Sequence, residues 1–502
     1  MRIKYAIKNV SMSFILQAVT LICGFIIPKL ILSNYGSNVN GLVTSITKFL
    51  AYISLLELGF GPVVKSVLYK PIAKKNRDEI EKILKASDKF FKRLAYIFII
   101  YIILLCFVLP VITAKEFSIE FTMPLVIIIG ISTFAEYFFG MTYKLYLQAE
   151  QKTYVISVIQ ISTLVLNTIT TVVLIKLGAS IHIVKLVTAL IFVARPIFQN
   201  VYVKKKYNIN LKNVENNYKI NQKWDGMAQH FAYVIHSNAD IVILTLCSTM
   251  AEVSVYYVYL LITASIKSIL QSFSNGIDAT FGDIIARDEI EKLNKSFRAY
   301  EILFYTVVTI LFSATAILIV PFVKVYTAGI HDANYIRPVF AYIMVISEFI
   351  WAIREPYNML IKVAGHFKQT KMGAWIEAIV NVVISMALVW KFGLVGIAIG
   401  TLVAMTIRGI EFMYYTSKHI FKRSLKYNFK YVFIIVIEFL IILALNHLLP
   451  KIDVISYLSW IKTAIPVTII SIIVVVGINL IAYKNEVSEI KRLIFARLKI
   501  KK

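Results

Sequence analysis

Along this chain, apolar stretches of about 20 residues alternate with short polar intervals, and each stretch is long enough to cross ~30 Å of hydrocarbon as a helix. The pattern predicts fourteen spans, at about 10–32, 40–64, 94–113, 121–143, 154–175, 180–202, 227–247, 253–281, 299–323, 336–360, 373–390, 394–416, 430–449 and 459–483. No interval between them is large enough for a separate soluble domain. The fold class is therefore an all-α polytopic membrane protein. Arg2, Lys4 and Lys8 precede the first apolar run, as they would in a signal peptide. That run continues too long, contains Gln17 and lacks a small-residue cleavage site, so it reads as the first helix.

The polar intervals carry an internal correspondence. RDEIEK occurs at Arg77–Lys82 and again at Arg287–Lys292, each time after a pair of apolar runs. Asn167, Lys176-Leu-Gly and Arg195 also resemble Asn381, Lys391-Phe-Gly and Arg408 in the same order. The expectation is a duplicated six-helix unit, with bundles at 1–223 and 224–425 and a C-terminal helix pair and basic tail at 426–502. Six spans per unit make the repeats run the same way through the membrane. They would be related by a pseudo-twofold axis along the membrane normal, with a site between them near the midplane. Within 77–93, Ile80, Ile83, Leu84, Phe90 and Phe91 recur at helical spacing between charges, which predicts an amphipathic helix on the membrane surface.

Charge changes the picture in one respect. The chain is 59% hydrophobic, with a mean hydropathy of +0.74 and a formal net charge of +26. In a soluble protein such a charge would point to nucleic acid; here it follows from the habit of cytoplasmic loops to collect Lys and Arg. With the N-terminus inside, the predicted inner segments hold 40 basic residues and the outer ones 8, which predicts both termini in the cytoplasm. Cys23, Cys106 and Cys247 are scattered and form neither a disulfide framework nor a metal-ligand spacing.

Six basic residues fall inside spans: Lys29, Lys48, Arg195, Lys267, Arg354 and Arg408. A cation at mid-helix costs about 2.5–3.5 kcal/mol on insertion scales, so each requires a partner, a wet cavity or a route to the interface. Arg195 and Arg408 lie near cytoplasmic helix ends and are expected to snorkel, as is Lys29 at the outer end of helix 1. Lys48 and Lys267 lie deeper. Thr263, Lys267, Gln271, Asn275 and Asp278 form one helical stripe, and Gln229, Tyr233, Ser237 and Asp240 form a second, with His236 one turn before Asp240. Ser13, Gln17, Thr20 and Gly24 form a third. Such stripes face another helix or an aqueous cavity. Carboxylates are also plentiful within spans: Glu57, Glu136, Asp240, Asp278, Glu348, Glu355, Glu377, Glu411 and Glu438. Arg354 beside Glu355 is the obvious neutralising group. No G-x-x-x-x-G-K-[ST], HExxH or CxxC pair is present, and no Ser/His/Asp constellation stands in a recognisable local context. The predicted outer loops are short, which disfavours catalysis.

The stretch GFIIPKLILSNYGSNVNGLVTSITKFLAYISLLELGFG (Gly24–Gly61), with Pro28, Tyr35-Gly36 and Gly41-Leu42, resembles the first helical pair of the Wzx-type polysaccharide flippases. These belong to the multidrug/oligosaccharidyl-lipid/polysaccharide (MOP) exporter superfamily. Arg354–Thr401, with Ala364-Gly365 and the Gly393–Gly400 glycine pattern, is similar to the same family, as is the 6 + 6 + 2 helix count. The resemblance implies a multi-pass protein of the bacterial plasma membrane that moves a lipid-linked oligosaccharide, usually on undecaprenyl pyrophosphate, between leaflets by alternating access. Membrane lipids and a polysaccharide polymerase or assembly protein are the further partners it implies; no cofactor, metal or catalytic residue is expected. Candidate substrate contacts are Lys48, Lys267, Lys29, Arg354, Gln271 and Asn275, where cations would hold phosphate through charge-assisted bonds. Candidate ion-coupling residues are Asp240, Asp278 and Glu57. Two other readings stay open: an ion-coupled drug or metabolite antiporter of the same superfamily, which would have twelve helices, and a membrane glycosyltransferase or ligase, which would need an external catalytic loop.

Overall fold

A computed structural model of the chain describes residues 2–57, 59–211, 214, 218, 225–274, 277–448, 453–484 and 486. Long apolar runs become helices because a helix satisfies every backbone polar group within its own segment. In order they are α1 (Arg2–Ala51), α2 (Ser54–Glu57), α3 (Phe60–Lys74), α4 (Arg77–Ile112), α5 (Ile119–Ala135), α6 (Met141–Ala149), α7 (Thr153–Lys176), α8 (Ile181–Tyr207) and α9 (Asp225–Cys247). They continue as α10 (Met250–Ser274), α11 (Asp278–Ala286), α12 (Ile290–Tyr326), α13 (Pro338–Val363), α14 (Phe367–Phe392), α15 (Leu394–Tyr415), α16 (Lys426–His447) and α17 (Tyr457–Ala482). Glu136–Gly140 and Thr416–Phe421 are π-helical turns.

Among the described residues, 12 helical segments are long and apolar enough to cross a membrane. The expected fourteen is an approximate count, and two features account for the difference. The first two predicted spans are joined in α1, which breaks at Gly36 (φ 84°, ψ 172°), a conformation that glycine reaches without penalty. Beyond the break, Ser37 N donates to Asp332 Oδ2 (2.6 Å) and Ser37 Oγ to Oδ1 (2.5 Å), so a carboxylate caps the new helix start. The second feature is α13, which stands outside the twelve and carries Glu348, Arg354, Glu355 and Lys362.

The residues form two compact units, 1–257 with 330–333, and 258–329 with 334–502. Packing and sequence repeat therefore divide the chain at different places, since α9 and about two turns of α10 belong to unit 1. Local bonds explain this. Asn40 Nδ2 donates to Ser254 Oγ (2.7 Å), Ser45 Oγ lies 2.7 Å from Thr245 Oγ1, and Glu116 accepts from Met250 N (3.0 Å). In unit 1, α1 packs on α7 and α9, and α5 on α4 and α8. In unit 2, the α14–α15 hairpin packs on α13, and α12 packs on α13 and α17.

The two RDEIEK copies lie where long helices begin. The first opens α4, with Asn76 Oδ1 accepting from Glu79 N (3.3 Å); the second spans the turn from α11 into α12. The separate surface helix expected over 77–93 is not formed. Those residues continue unbroken into the span as the 36-residue α4, because Ile80, Ile83, Leu84 and Phe91 are buried within unit 1.

Close helix approach in unit 2 rests on Gly400. A Cβ there would overlap Ser385 Oγ on α14 and would stand 2.8 Å from Ser385 N. Small residues at such crossings let backbones meet. Gly400→Ala should destabilise unit 2 by about 1–3 kcal/mol, read as a lower Tm of the purified protein in detergent. Adding Ser385→Ala should not restore it, because the backbone nitrogen remains in the way.

Candidate functional site

In unit 1, the predicted span 40–64 is broken. α1 ends at Ala51, α2 is a single turn, and Gly59 precedes α3. Non-helical backbone at membrane depth is tolerated only where protein buries it or it lines a cavity. The local bonds show how it is satisfied. Tyr52 N donates to Phe49 O (3.1 Å) and Ile53 N to Leu50 O (3.2 Å), which tightens the helix end into 3₁₀ turns. Tyr101 Oη donates to Phe49 O (2.8 Å), and His230 Nε2 donates to Ser54 O (3.0 Å). Glu57 lies in α2, and Lys48 is half-buried in the last turn of α1. The break thus gathers Lys48, Glu57, Tyr101 and His230 along one short segment. Asp240 is buried and accepts from Tyr256 Oη (2.6 Å). The π-helical turn holds Glu136, whose carboxylate pairs with Lys144 (2.8 Å).

Unit 2 presents a chain of ion pairs. Lys267 Nζ lies 2.8 Å from Glu348 Oε2 and 4.5 Å from the centre of the Trp351 ring. Arg354 Nη1 lies 2.6 Å from Glu377 Oε1, and Glu377 Oε2 lies 3.5 Å from Arg408 Nε. Arg408 Nη1 also pairs with Glu411 Oε2 (2.5 Å) and donates to Thr370 O (3.0 Å). A further pair, Arg423 Nη2 with Glu301 Oε1 (3.0 Å), is completed by the Tyr357 hydroxyl donating to the same carboxylate. Each of these cations has an acidic partner, so the chain is close to neutral as a whole.

Several expectations change here. Arg354 pairs with Glu377 rather than Glu355, because successive residues on a helix point about 100° apart and cannot face each other; Glu355 Oε2 instead accepts from Asn358 Nδ2 (2.9 Å). That pairing gives the buried Arg354 a protein partner in place of a ligand-facing position. Arg408 does not snorkel: it is 4% exposed and ion-paired. Arg195 also turns inward, its Nε donating to Thr163 Oγ1 (2.6 Å) and its guanidinium lying 3.9 Å from the Phe192 ring centre. The stripe through Lys267 ends early, since α10 stops at Ser274 and Asp278 opens α11. Gln271 is exposed, and Asn275 lies outside the described residues. Asp278 lies beyond the apolar spans. Burial pushes its carboxyl above the ordinary aspartate range, and the Lys362 ammonium opposes the shift. In the second stripe Tyr233 and Ser237 are exposed, while Lys29 is half-buried.

His230, Tyr101, Tyr256 and Trp351 were not singled out by sequence reasoning. A signal existed for Trp351, which stands three residues from Glu348 on one face of α13. None existed for His230, whose partner is a carbonyl exposed only by the break.

The chain is an all-helical fold with a broken second span and ion pairs within helices long and apolar enough to cross a membrane, and solved structures share that fold. No protein-family model matches the chain. No curated protein matches it in sequence. An inward closed structure of the lipid II flippase MurJ superposes with a TM-score of 0.63 at 14% identity, covering 97% of this chain and 100% of its own. An inward-facing multidrug resistance MATE transporter of the MOP superfamily gives 0.57 at 13% identity, covering 80% of this chain and 95% of its own. A MOP superfamily transporter from Pyrococcus furiosus gives 0.53 at 12% identity, covering 84% and 97%. The chain has the fold that these flippase and transporter structures share.

Glu377 is the structural keystone of unit 2, since it neutralises two buried guanidinium groups. Glu377→Ala should cost about 3–5 kcal/mol, because it strands buried charge. Removal of the exposed pair partner Arg287 should change stability by less than about 1 kcal/mol. Thermal unfolding of both variants in detergent checks the contrast.

Proposed function

We propose that this chain is a flippase moving a lipid-linked oligosaccharide, on undecaprenyl pyrophosphate, from the inner to the outer leaflet of a bacterial plasma membrane for cell-surface polysaccharide synthesis. The observation that carries this reading is the extent of the fold. The superposition on a lipid II flippase leaves 3% of this chain unmatched, too few residues to hold both α16 and α17. The multidrug transporter leaves 20% unmatched. A hydrated pyrophosphate–sugar headgroup cannot cross bare hydrocarbon. A protein that carries one needs donors for its anionic oxygens, and hydroxyl and amide groups for its sugars.

Lys48 and Lys267 are the proposed phosphate ligands. Lys267 keeps 24% of its side chain exposed and Glu348 keeps 7%, so a ligand reaches the ammonium more readily than the carboxylate does. Pyrophosphate would take over the ammonium from Glu348, which makes binding an exchange of partners. Both termini stand in the cytoplasm in this reading, the two six-helix repeats alternate in access, and a polymerase or assembly protein receives the product. An ion-coupled drug antiporter is the second reading, favoured by the MATE likeness; transport of an organic cation in place of the glycolipid would establish it.

Lys48→Ala and Lys267→Ala should each lower headgroup translocation in proteoliposomes by tenfold or more with normal protein levels, consistent with the loss of about 1.4 kcal/mol or more per charged hydrogen bond. Glu348→Gln should tighten headgroup binding, because Lys267 then has no internal competitor. Normal translocation by both lysine variants would remove the pyrophosphate site.

Reporter fusions test orientation separately. Fusions after Lys74 and after Tyr207 should read as cytoplasmic, and fusions near His331 as external; an external signal after Tyr207 would overturn the topology.

A further inference from the structure

The C-terminal helix pair contains a buried carboxylate that the proposed transport path does not use. Glu438 lies about midway along α16, is 1% exposed, and its Oε1 meets no hydrogen-bond donor among the described residues. It lines a cavity of about 10 Å³ with Thr309 and Tyr305 of α12, Tyr431 of α16, Asn479 of α17 and Tyr483. That volume admits one water-sized ligand.

The donors around this cavity are all oxygen in character once the nitrogens are accounted for. Asn479 spends its amide Nδ2 on Thr306 Oγ1 (2.9 Å), which leaves its carbonyl oxygen as an acceptor. Thr309 Oγ1 is also buried without a partner among the described residues. The neighbouring charges are already matched. Glu301 on α12 is held by Arg423 at 3.0 and 3.2 Å. Lys430 on α16 donates to Ala482 O (3.2 Å) and lies 5.0 Å from the Tyr483 ring centre. Arg298 on α12 acts on Glu301 and Tyr431. Of the remaining titratable neighbours, Tyr305, Tyr431 and Tyr483 are neutral phenols, and Glu486, which acts on Tyr431 and Tyr483, brings no positive charge.

Among the described residues, Glu438 thus has no hydrogen-bonded or ion-paired cation between three helices, all of which are apolar enough to span a membrane. An ionised carboxylate is not sustained there alone. A hard oxygen donor set in a small cavity suits a small hard cation, and a single negative charge balances a single positive one. We propose that Glu438, Thr309 and Asn479 form a binding site for one sodium ion in the C-terminal helix pair, whatever headgroup the protein carries.

The test is equilibrium binding of ²²Na⁺ to the purified full-length chain in lipid nanodiscs, in a choline background at pH 8. Glu438→Gln should bind one sodium fewer per chain than the unaltered protein. Thr309→Val, which keeps the carboxylate and the side-chain volume, should weaken that sodium by about tenfold. Asp78→Asn, at an exposed position of unit 1, should leave it unchanged, and potassium at equal concentration should fail to displace it. Equal sodium stoichiometry in the unaltered protein and Glu438→Gln would overturn the proposal. So would a Thr309→Val protein of unaltered sodium affinity, or a sodium signal lost in Asp78→Asn as well. A carboxyl that holds a proton at pH 8 and does not exchange it for sodium would also overturn it, since Glu438 would then be a neutral acid.

Discussion

A charge placed in hydrocarbon has to be neutralised where it stands, and unit 2 is organised around that requirement. Arg354 on α13, Glu377 on α14, and Arg408 with Glu411 on α15 form one connected series of opposite charges. Because Glu377 serves both guanidinium groups, the register of α14 against α13 and α15 is fixed by electrostatics as well as by packing. Gly400 gives α14 and α15 the close approach that brings those groups within reach. Desolvation makes each such pair a poor source of net stability, yet the loss of one member is costly. The series therefore specifies an arrangement more than it adds free energy.

Unit 1 meets a different constraint, imposed by the backbone. Three departures from regular helix occur there: the break at Gly36, the interrupted segment between Ala51 and Phe60, and the π-helical turn at Glu136–Gly140. Each frees polar backbone groups that need new partners, and at the second and third lipid could not supply them. Asp332 answers the first at Ser37; Tyr101 and His230 answer the second at Phe49 and Ser54. A helix interrupted within the membrane places carbonyls and amides where a ligand can meet them, which is the arrangement that broken helices supply in transporters. The interruption carries Glu57 and follows Lys48 directly, so the residues chosen for their chemistry and the irregular backbone coincide.

The all-helical class and the approximate placement of the helices were legible in the sequence because apolar runs of spanning length leave few alternatives. The need of each intramembrane cation for a partner was legible too, but the partner was not. Lys267 and Glu348 are separated by 81 residues and meet only after α10 and α13 pack. The choice of Glu355 for Arg354 failed for a local reason, since chain neighbours diverge around a helix. Arg408 looked like a snorkelling residue because its depth was judged along its own helix; Glu377 on α14, which pairs with it beside Glu411 of its own helix, belongs to another segment. The break at 52–59 left little trace, since Tyr, Ile, Ser and Leu are compatible with a continuous span, and only Gly59 hints at an interruption. The helix over 77–93 was read as interfacial because its charges were counted and its partners within unit 1 were not visible.

Exposure separates the ion pairs that hold the fold from the one suited to exchange. Arg408, Glu377 and Arg354 have side chains 4, 10 and 9% exposed, so a ligand would have to displace protein to reach them. Lys267 is 24% exposed and lies over Trp351, a surface that stabilises the ammonium whether or not Glu348 holds it. Losing Glu348 to an incoming anion costs this lysine less than the same loss would cost Arg354, because water and the indole face remain. Glu348 bears the larger penalty, being 7% exposed, and would need another donor while displaced. An anion that binds Lys267 thus leaves a buried carboxylate without its counter-charge, so the exchange is limited by Glu348 and not by the lysine.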